Sequence, residues 1–289
     1  MESWIHAMTQ VNGIMMHYVI QGTGPLLMLL HGWPQTWYEW RELIPALAEC
    51  YTVVAPDLRG YGLTDKPLGG YDKRTMAADI RALVYVLGHK RVILVGHDRG
   101  ARVAHRYGLD YPNEVEKIAF LDIIPTREII ARMDTTMARG YWHWLFHFQP
   151  DLPELLICPN VEAYLRYFFE RWTYNRAAFD SETIAEYVRS YSAPGALRGG
   201  FSDYRATFPD DMDADNASAM AGQKLTMPVV MLWGANGLIG HLANVLEIWH
   251  EYAMNVRGEL IPNCGHFLPE EQPTLVLKRL REFLDEGRM

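Results

Sequence analysis

The stretch Leu94-Val95-Gly96-His97-Asp98-Arg99-Gly100-Ala101-Arg102-Val103-Ala104 sets a carboxylate between two glycines at the spacing Gly-x-Asp-x-Gly. It reads as a buried strand over 91–95, a sharp turn and then a helix. Small residues around such a turn permit the strained backbone that lifts one side chain clear of the chain. A hydroxyl at that point needs a base to activate it. A carboxylate is already an anion and can attack saturated carbon directly. Asp98 is therefore the candidate nucleophile, and the chemistry it suggests is displacement at carbon with an ester intermediate.

Such an ester must be hydrolysed, which calls for a general base near neutral pKa and an acid to orient it. Of the eleven histidines, His266 alone sits in a Gly-His loop just beyond a strand so late in the chain, within Asn263-Cys264-Gly265-His266-Phe267-Leu268-Pro269-Glu270-Glu271. The loop after the penultimate strand, Gly234-Ala235-Asn236-Gly237-Leu238-Ile239-Gly240, carries no carboxylate. The strand after the nucleophile helix ends in Phe120-Leu121-Asp122-Ile123-Ile124-Pro125, and Asp122 is the only acid between Glu116 and Glu128. Asp122 either orients His266 from that strand tip or caps the turn before Pro125. The order Asp98, Asp122, His266 fits nucleophile, acid, base.

His31-Gly32-Trp33-Pro34 follows a buried strand, and the backbone N–H groups of Trp33 and Arg99 are the candidate oxyanion hole. Arg99 and Arg102 lie three residues apart on the first turn of the elbow helix, so they share a face. Cations there oppose the helix dipole, a small cost in stability. Two guanidinium groups beside a nucleophile suggest capture of a substrate carboxylate. The alternative is that Arg102 pairs with a structural acid while Arg99 fills space.

The elements that must position these groups are legible as an alternation. Strands are expected at 14–20, 26–30, 52–55, 91–95, 117–121, 228–233 and 257–261. Helices are expected at about 73–87, 99–110 and 242–253, with a last one from Pro269 to about 285. Alternating strands and helices give an α/β fold with a mostly parallel sheet. The alternation breaks over residues 125–225, an aromatic-rich stretch of helical patterns. It divides the chain into core (1–124), helical cap (125–225) and core (226–289), the cap roofing the strand ends where ligands bind. Asp210 to Asp215 reads as a solvated acidic loop.

Composition bounds the rest. The chain has 289 residues, 49% of them hydrophobic, and 27 basic against 35 acidic side chains give a formal charge of −8. That balance leaves no basic footprint for nucleic acid. Cys50, Cys158 and Cys264 lack paired spacing, which suits a reduced cytoplasmic protein. No signal peptide or membrane-crossing run is evident.

The elbow Gly96 to Arg102, the segment Leu121 to Thr126, His143-Trp144 and Asp203-Tyr204-Arg205-Ala206 together resemble the haloacetate (fluoroacetate) dehalogenases of the α/β-hydrolase superfamily. The similarity spans nearly the whole chain, and the double-arginine elbow is its most specific element. It implies that Asp98 displaces halide, that Arg99 and Arg102 hold the carboxylate, and that His143, Trp144 and Tyr204 receive the leaving halide. It further implies a homodimer acting on a small molecule. Three N–H or O–H donors can offset the desolvation of a small hard anion. Each of those three residues alone could equally be core packing. Neither metal nor organic cofactor is required.

Other segments resemble epoxide hydrolases. His31-Gly32-Trp33-Pro34-Gln35-Thr36-Trp37-Tyr38-Glu39-Trp40 has Trp33 where the dehalogenases commonly have Phe. The stretches from Phe148 to Glu154 and from Ser192 to Arg198 also look like epoxide hydrolases. In that reading His143 and Tyr204 donate to an epoxide oxygen. A third class, a non-catalytic receptor on a hydrolase scaffold, is disfavoured by the complete Asp98, Asp122, His266 set.

Overall fold

A computed structural model describes residues 4–241 and 244–287. Eight strands form one sheet in the order β1-β2-β4-β3-β5-β6-β7-β8, with β1 (Ile5–Val11), β2 (Ile14–Gln21), β3 (Leu26–Leu30), β4 (Thr52–Pro56), β5 (Val92–His97), β6 (Val115–Leu121), β7 (Val229–Gly234) and β8 (Val256–Ile261). β1 and β2 are antiparallel to their neighbours, and every pairing from β4 to β8 is parallel. The expected α/β fold is the one observed. The continuous apolar runs of β3 and β5 are explained by burial on both faces. Alternate β5 side chains serve opposite cores. Leu94 joins Phe120, Met231 and the helix Lys73–Val86, while Val95 joins Leu121, Leu232 and the last helix, Pro273–Leu284.

β1 was not among the expected strands. Only Val11 of its seven residues is buried, so an exposed edge strand leaves no apolar alternation to read. The helix expected at 242–253 spans Val245–Tyr252, and residues 242–243 lie outside the described residues. The expected last helix breaks in two, Leu268–Glu271 and Pro273–Leu284. Between β6 and β7 the described residues form helices and no strand of the sheet, including Trp142–His147, Val161–Trp172, Ser181–Tyr191 and Ala196–Arg205. Their aromatic side chains share a core with the sheet: Trp33, from the β3 end, packs edge-on against Phe168 with ring centroids 4.8 Å apart. Asp210 to Asp215 is not a solvated loop. It lies in a kinked helical segment in which Asp211 is buried and accepts the Lys73 backbone N–H at 2.7 Å.

Register fixes where the loops emerge. Gly96 pairs with Leu30 on one side and Phe120 on the other. His31–Trp33, Asp98 and Asp122 therefore leave the sheet at one level, the carboxyl ends of parallel strands.

Candidate active site

Asp98 begins the helix Asp98–Asp110 with φ of 43°, a left-handed conformation that costs a non-glycine residue about 1–3 kcal/mol. The two glycines nearest it are there for space. A Cβ on Gly32 would lie 2.6 Å from Asp98 Cβ, and one on Gly100 would lie 2.2 Å from the Leu30 carbonyl oxygen. This crowding holds the carboxylate against the β3 loop, where Asp98 Oδ1 accepts the Trp33 N–H at 3.1 Å. The other oxygen, Oδ2, faces His266 Nε2 at 3.9 Å. His266 Nδ1 is 2.6 Å from Asp122 Oδ2. Asp122 Oδ1 in turn accepts the Gly234 N–H at 3.0 Å, tying it to the tip of β7. A carboxylate on β6 thus reaches the histidine of the β8 loop across the intervening strand end.

The backbone around His266 is fixed from three sides. Its N–H donates to the Trp172 carbonyl at 2.8 Å, and its carbonyl accepts from His97 Nε2 at 2.8 Å. Buried Glu271 gathers the N–H groups of Gly265, Phe267, Tyr174 and Asn175 at 2.7–3.0 Å, joining the histidine loop to the helical segment.

The two arginines differ in their partners. Arg99 forks onto Asp203, with Nε 3.1 Å and Nη2 2.7 Å from Oδ1, and Asp203 also meets Lys73 and the Tyr61 hydroxyl. Arg102 Nη1 donates to the Ile124 carbonyl at 3.1 Å and to Thr126 Oγ1 at 2.9 Å, with no carboxylate among its described hydrogen-bond or ion-pair partners. This inverts the sequence alternative in which Arg102 was the one paired with an acid. Both guanidiniums lie against Trp144, with Cζ 5.3 Å and 4.9 Å from its ring. His143 and Tyr204 are brought together, ring centroids 5.7 Å apart, and Trp144 stands 5.7 Å from Tyr204. A cavity of about 240 Å³ opens onto Asp98 and His266, walled by Tyr141, His143, Arg171, Trp172 and Leu238 among others. Arg99, Arg102, Trp144 and Tyr204 are buried and form no part of that wall.

A sequence profile described as alpha/beta hydrolase fold matches residues 25–273. The soluble epoxide hydrolase of Corynebacterium sp. (strain C12) is 44% identical, covering 96% of both chains. The fluoroacetate dehalogenase of a Burkholderia sp. is 37% identical over 99% of this chain and 96% of its own. The solved structure of the epoxide hydrolase CorEH superposes with a TM-score of 0.93 at 42% identity, covering 99% of this chain and 100% of that one. This chain belongs to the α/β-hydrolase family. It is a hydrolase, similar to both epoxide hydrolases and a dehalogenase.

The electrostatics of this α/β hydrolase suit an anionic nucleophile among neutral donors. Burial opposes ionisation of Asp98, but the charges of His266, Arg102 and Arg99 outweigh it and hold the carboxyl below its usual value. Burial pushes His143 down to about 3, so it stays a neutral imidazole with an N–H to give. Burial and the Asp98 charge push the Tyr204 phenol up, keeping its proton in place. Among the described residues no three His, Cys, Asp or Glu side chains group as metal ligands. No helix among them is long and apolar enough to cross a membrane.

Sequence reading missed His97, Glu39, Glu271 and Lys73, all buried. The partners of His97 lie up to 169 residues away, and Glu271 joins its own loop to Tyr174 and Asn175, 97 and 96 residues upstream, so their roles leave little trace in local spacing. His97 yields a test. Burial lowers its pKa, but the Glu39 charge and hydrogen bond more than offset this and raise it to about 9 from 6.5. A folded pKa above the unfolded one gives stability that is full below the lower value and lost as pH rises through the higher. The urea midpoint should therefore fall between about pH 6 and about pH 10, and His97→Asn should flatten that fall. A variant that falls as steeply as the parent would remove His97 from the account.

Proposed function

We propose that this hydrolase removes halide from haloacetates through an ester on Asp98. The observation that carries the reading is the isolation of Arg102. Of the four buried arginines among the described residues, Arg59, Arg99 and Arg106 each meet a carboxylate at 2.7–2.8 Å, and Arg102 meets none. A buried cation with no carboxylate in hydrogen-bonding contact is costly: burial and Arg99 both disfavour its charge, and Asp98 offsets them only in part. In this reading the cavity wall opens far enough for a substrate carboxylate to lie beside Arg102 and Arg99, which offsets that cost and presents the adjacent carbon to Asp98.

In this reading an Asp98 oxygen attacks the carbon bearing halogen, and the carbon–halogen bond breaks with its electron pair. His143, Trp144 and Tyr204 donate to the departing halide. His266, oriented by Asp122, then takes a proton from water as the water oxygen attacks the Asp98 ester carbonyl. The Trp33 and Arg99 N–H groups stabilise the oxyanion. As it collapses, the bond from the Asp98 carbonyl carbon to the ester oxygen breaks, His266 returns its proton to that oxygen, and glycolate leaves with an oxygen that began on Asp98. Residues 125–225 act as a cap between the two core segments, and the protein works as a cytoplasmic homodimer. Exposed Leu145, Leu155 and Leu156 and three free cysteines are consistent with that assignment.

A second reading is epoxide hydrolysis with the same nucleophile and base. It is favoured by a cavity of about 240 Å³ with largely uncharged walls, roomy for a two-carbon acid, and by the 44% identical relative. Halide-release and diol-formation assays, run side by side on haloacetates and simple epoxides, decide between them. Asp122→Asn tests the step common to both. The substitution keeps an acceptor for the Gly234 N–H but fixes the wrong His266 tautomer, so ester hydrolysis should slow by about 10²–10⁴-fold with the fold intact. Asn236→Asp in that background should restore part of it, because the neighbouring Gly237 already abuts Asp122. A fully active Asp122→Asn enzyme would dismiss Asp122 as the orienting acid.

A further inference from the structure

We propose that Arg171 is an entrance residue that draws anionic substrates into the Asp98 cavity and so helps set selectivity for carboxylates. The inference rests on the haloacetate reading and extends it from the buried arginines to the approach path. Arg171 is exposed, yet it shares the wall of the cavity that holds Asp98 and His266. It is the only lysine or arginine in that wall among the described residues. No ion pair engages it among the described residues. Its guanidinium instead lies over the Tyr167 ring, Cζ 5.0 Å from the centroid, which braces the side chain and leaves its charge uncompensated.

The backbone of Arg171 is not free to wander. It closes the helix Val161–Trp172, and the next residue, Trp172, accepts the His266 N–H at 2.8 Å. The Trp172 ring stands 5.1 Å from His266 and 4.8 Å from His143. The cation is thereby anchored one residue from groups that touch the base and the halide donors.

Charge gives this placement its consequence. The chain carries a formal −8, and Asp98 and Asp122 both face the cavity. An approaching carboxylate meets a repulsive field. One exposed cation at the mouth of a low-dielectric cleft focuses the opposite potential along the approach path. Arg99 and Arg102 are buried and act on a substrate that has arrived. Arg171 acts earlier, so its effect belongs to kcat/KM and decays with salt as the Debye length shrinks to about 3 Å at 1 M.

The test compares Arg171→Gln, Arg171→Lys and the parent on two matched pairs, chloroacetate with chloroacetamide and oxirane-2-carboxylate with glycidol. At low ionic strength Arg171→Gln should lower kcat/KM for the anionic member of a pair by about 3–10-fold, with kcat unchanged. The neutral member should stay within about twofold, Arg171→Lys should recover most of the loss, and about 1 M salt should abolish the difference. Equal losses on neutral and anionic substrates would overturn the proposal in favour of a packing or helix-terminal role. So would a salt-independent loss, or no loss on either anion. If the parent ignores chloroacetate but the oxirane-2-carboxylate pair responds as stated, the haloacetate reading falls and the role of Arg171 stands.

Discussion

Replacing His266 by glutamine should leave an enzyme that releases about one equivalent of halide per active site and then stops. Attack by Asp98 needs no base, because the Arg102 and Arg99 charges that help hold its carboxyl below the usual value both remain in the variant. Water attack on the ester does need one, and His266 is the group placed for it, 3.9 Å from Asp98 Oδ2 and braced by Asp122 at 2.6 Å. Steady turnover should fall on the order of 10³–10⁴-fold while the first turnover stays near normal. Intact-mass measurement should find the ester accumulating on Asp98. A single turnover of the parent in heavy-oxygen water should label the Asp98 side chain, because water attacks the carbonyl carbon of the ester and not the substrate carbon. Label confined to product would remove the covalent step, and a His266→Gln enzyme with no burst would place the histidine in the first step as well.

What the sequence made legible follows physical locality. The elbow needs Gly96 and Gly100 within two residues of Asp98, because Leu30 and Ala101 crowd those two positions, so its signature is contiguous. Asp122 and His266 were found because Asp122 directly follows one strand-like run and His266 lies in the loop after another, and parallel register carries such residues to one edge of the sheet. The partners of Arg99 were not legible. Asp203 lies 104 residues away on a helix whose placement depends on packing, and Lys73 reaches the same carboxylate from 130 residues off. The acidic run Asp210 to Asp215 misled for the same reason: a carboxylate needed by Lys73 is indistinguishable in sequence from one facing water. Edge strand β1 was hidden by its exposure. The cavity wall mixes Tyr141, Trp172 and Leu238, from separate segments, so the room above Asp98 had no linear trace.

Arg102→Leu should divide the two readings of the site. If Arg102 and Arg99 hold a substrate carboxylate, removing one buried cation costs about 2–5 kcal/mol of transition-state binding, or roughly 30-fold to several thousand-fold in kcat/KM for chloroacetate. A neutral epoxide should lose little. Two side effects of the substitution need separating from that loss. The Ile124 carbonyl and the Thr126 hydroxyl lose a donor, so a thermal melt must accompany the kinetics. Asp98 also loses one of the charges that hold its carboxyl down. Its pKa in the variant must rise, which moves the acid limb of the rate to higher pH. Assays near pH 8 keep the nucleophile ionised in both enzymes, so the remaining loss reports carboxylate binding. The parent should likewise prefer chloroacetate to chloroacetamide, and Arg102→Leu should erase most of that preference. Haloacetates fit this outcome because the energy at stake belongs to a charge only they bring. An enzyme that opens epoxides readily, ignores haloacetates and is indifferent to Arg102→Leu would instead assign the buried guanidiniums to holding Trp144 and Tyr204 in place.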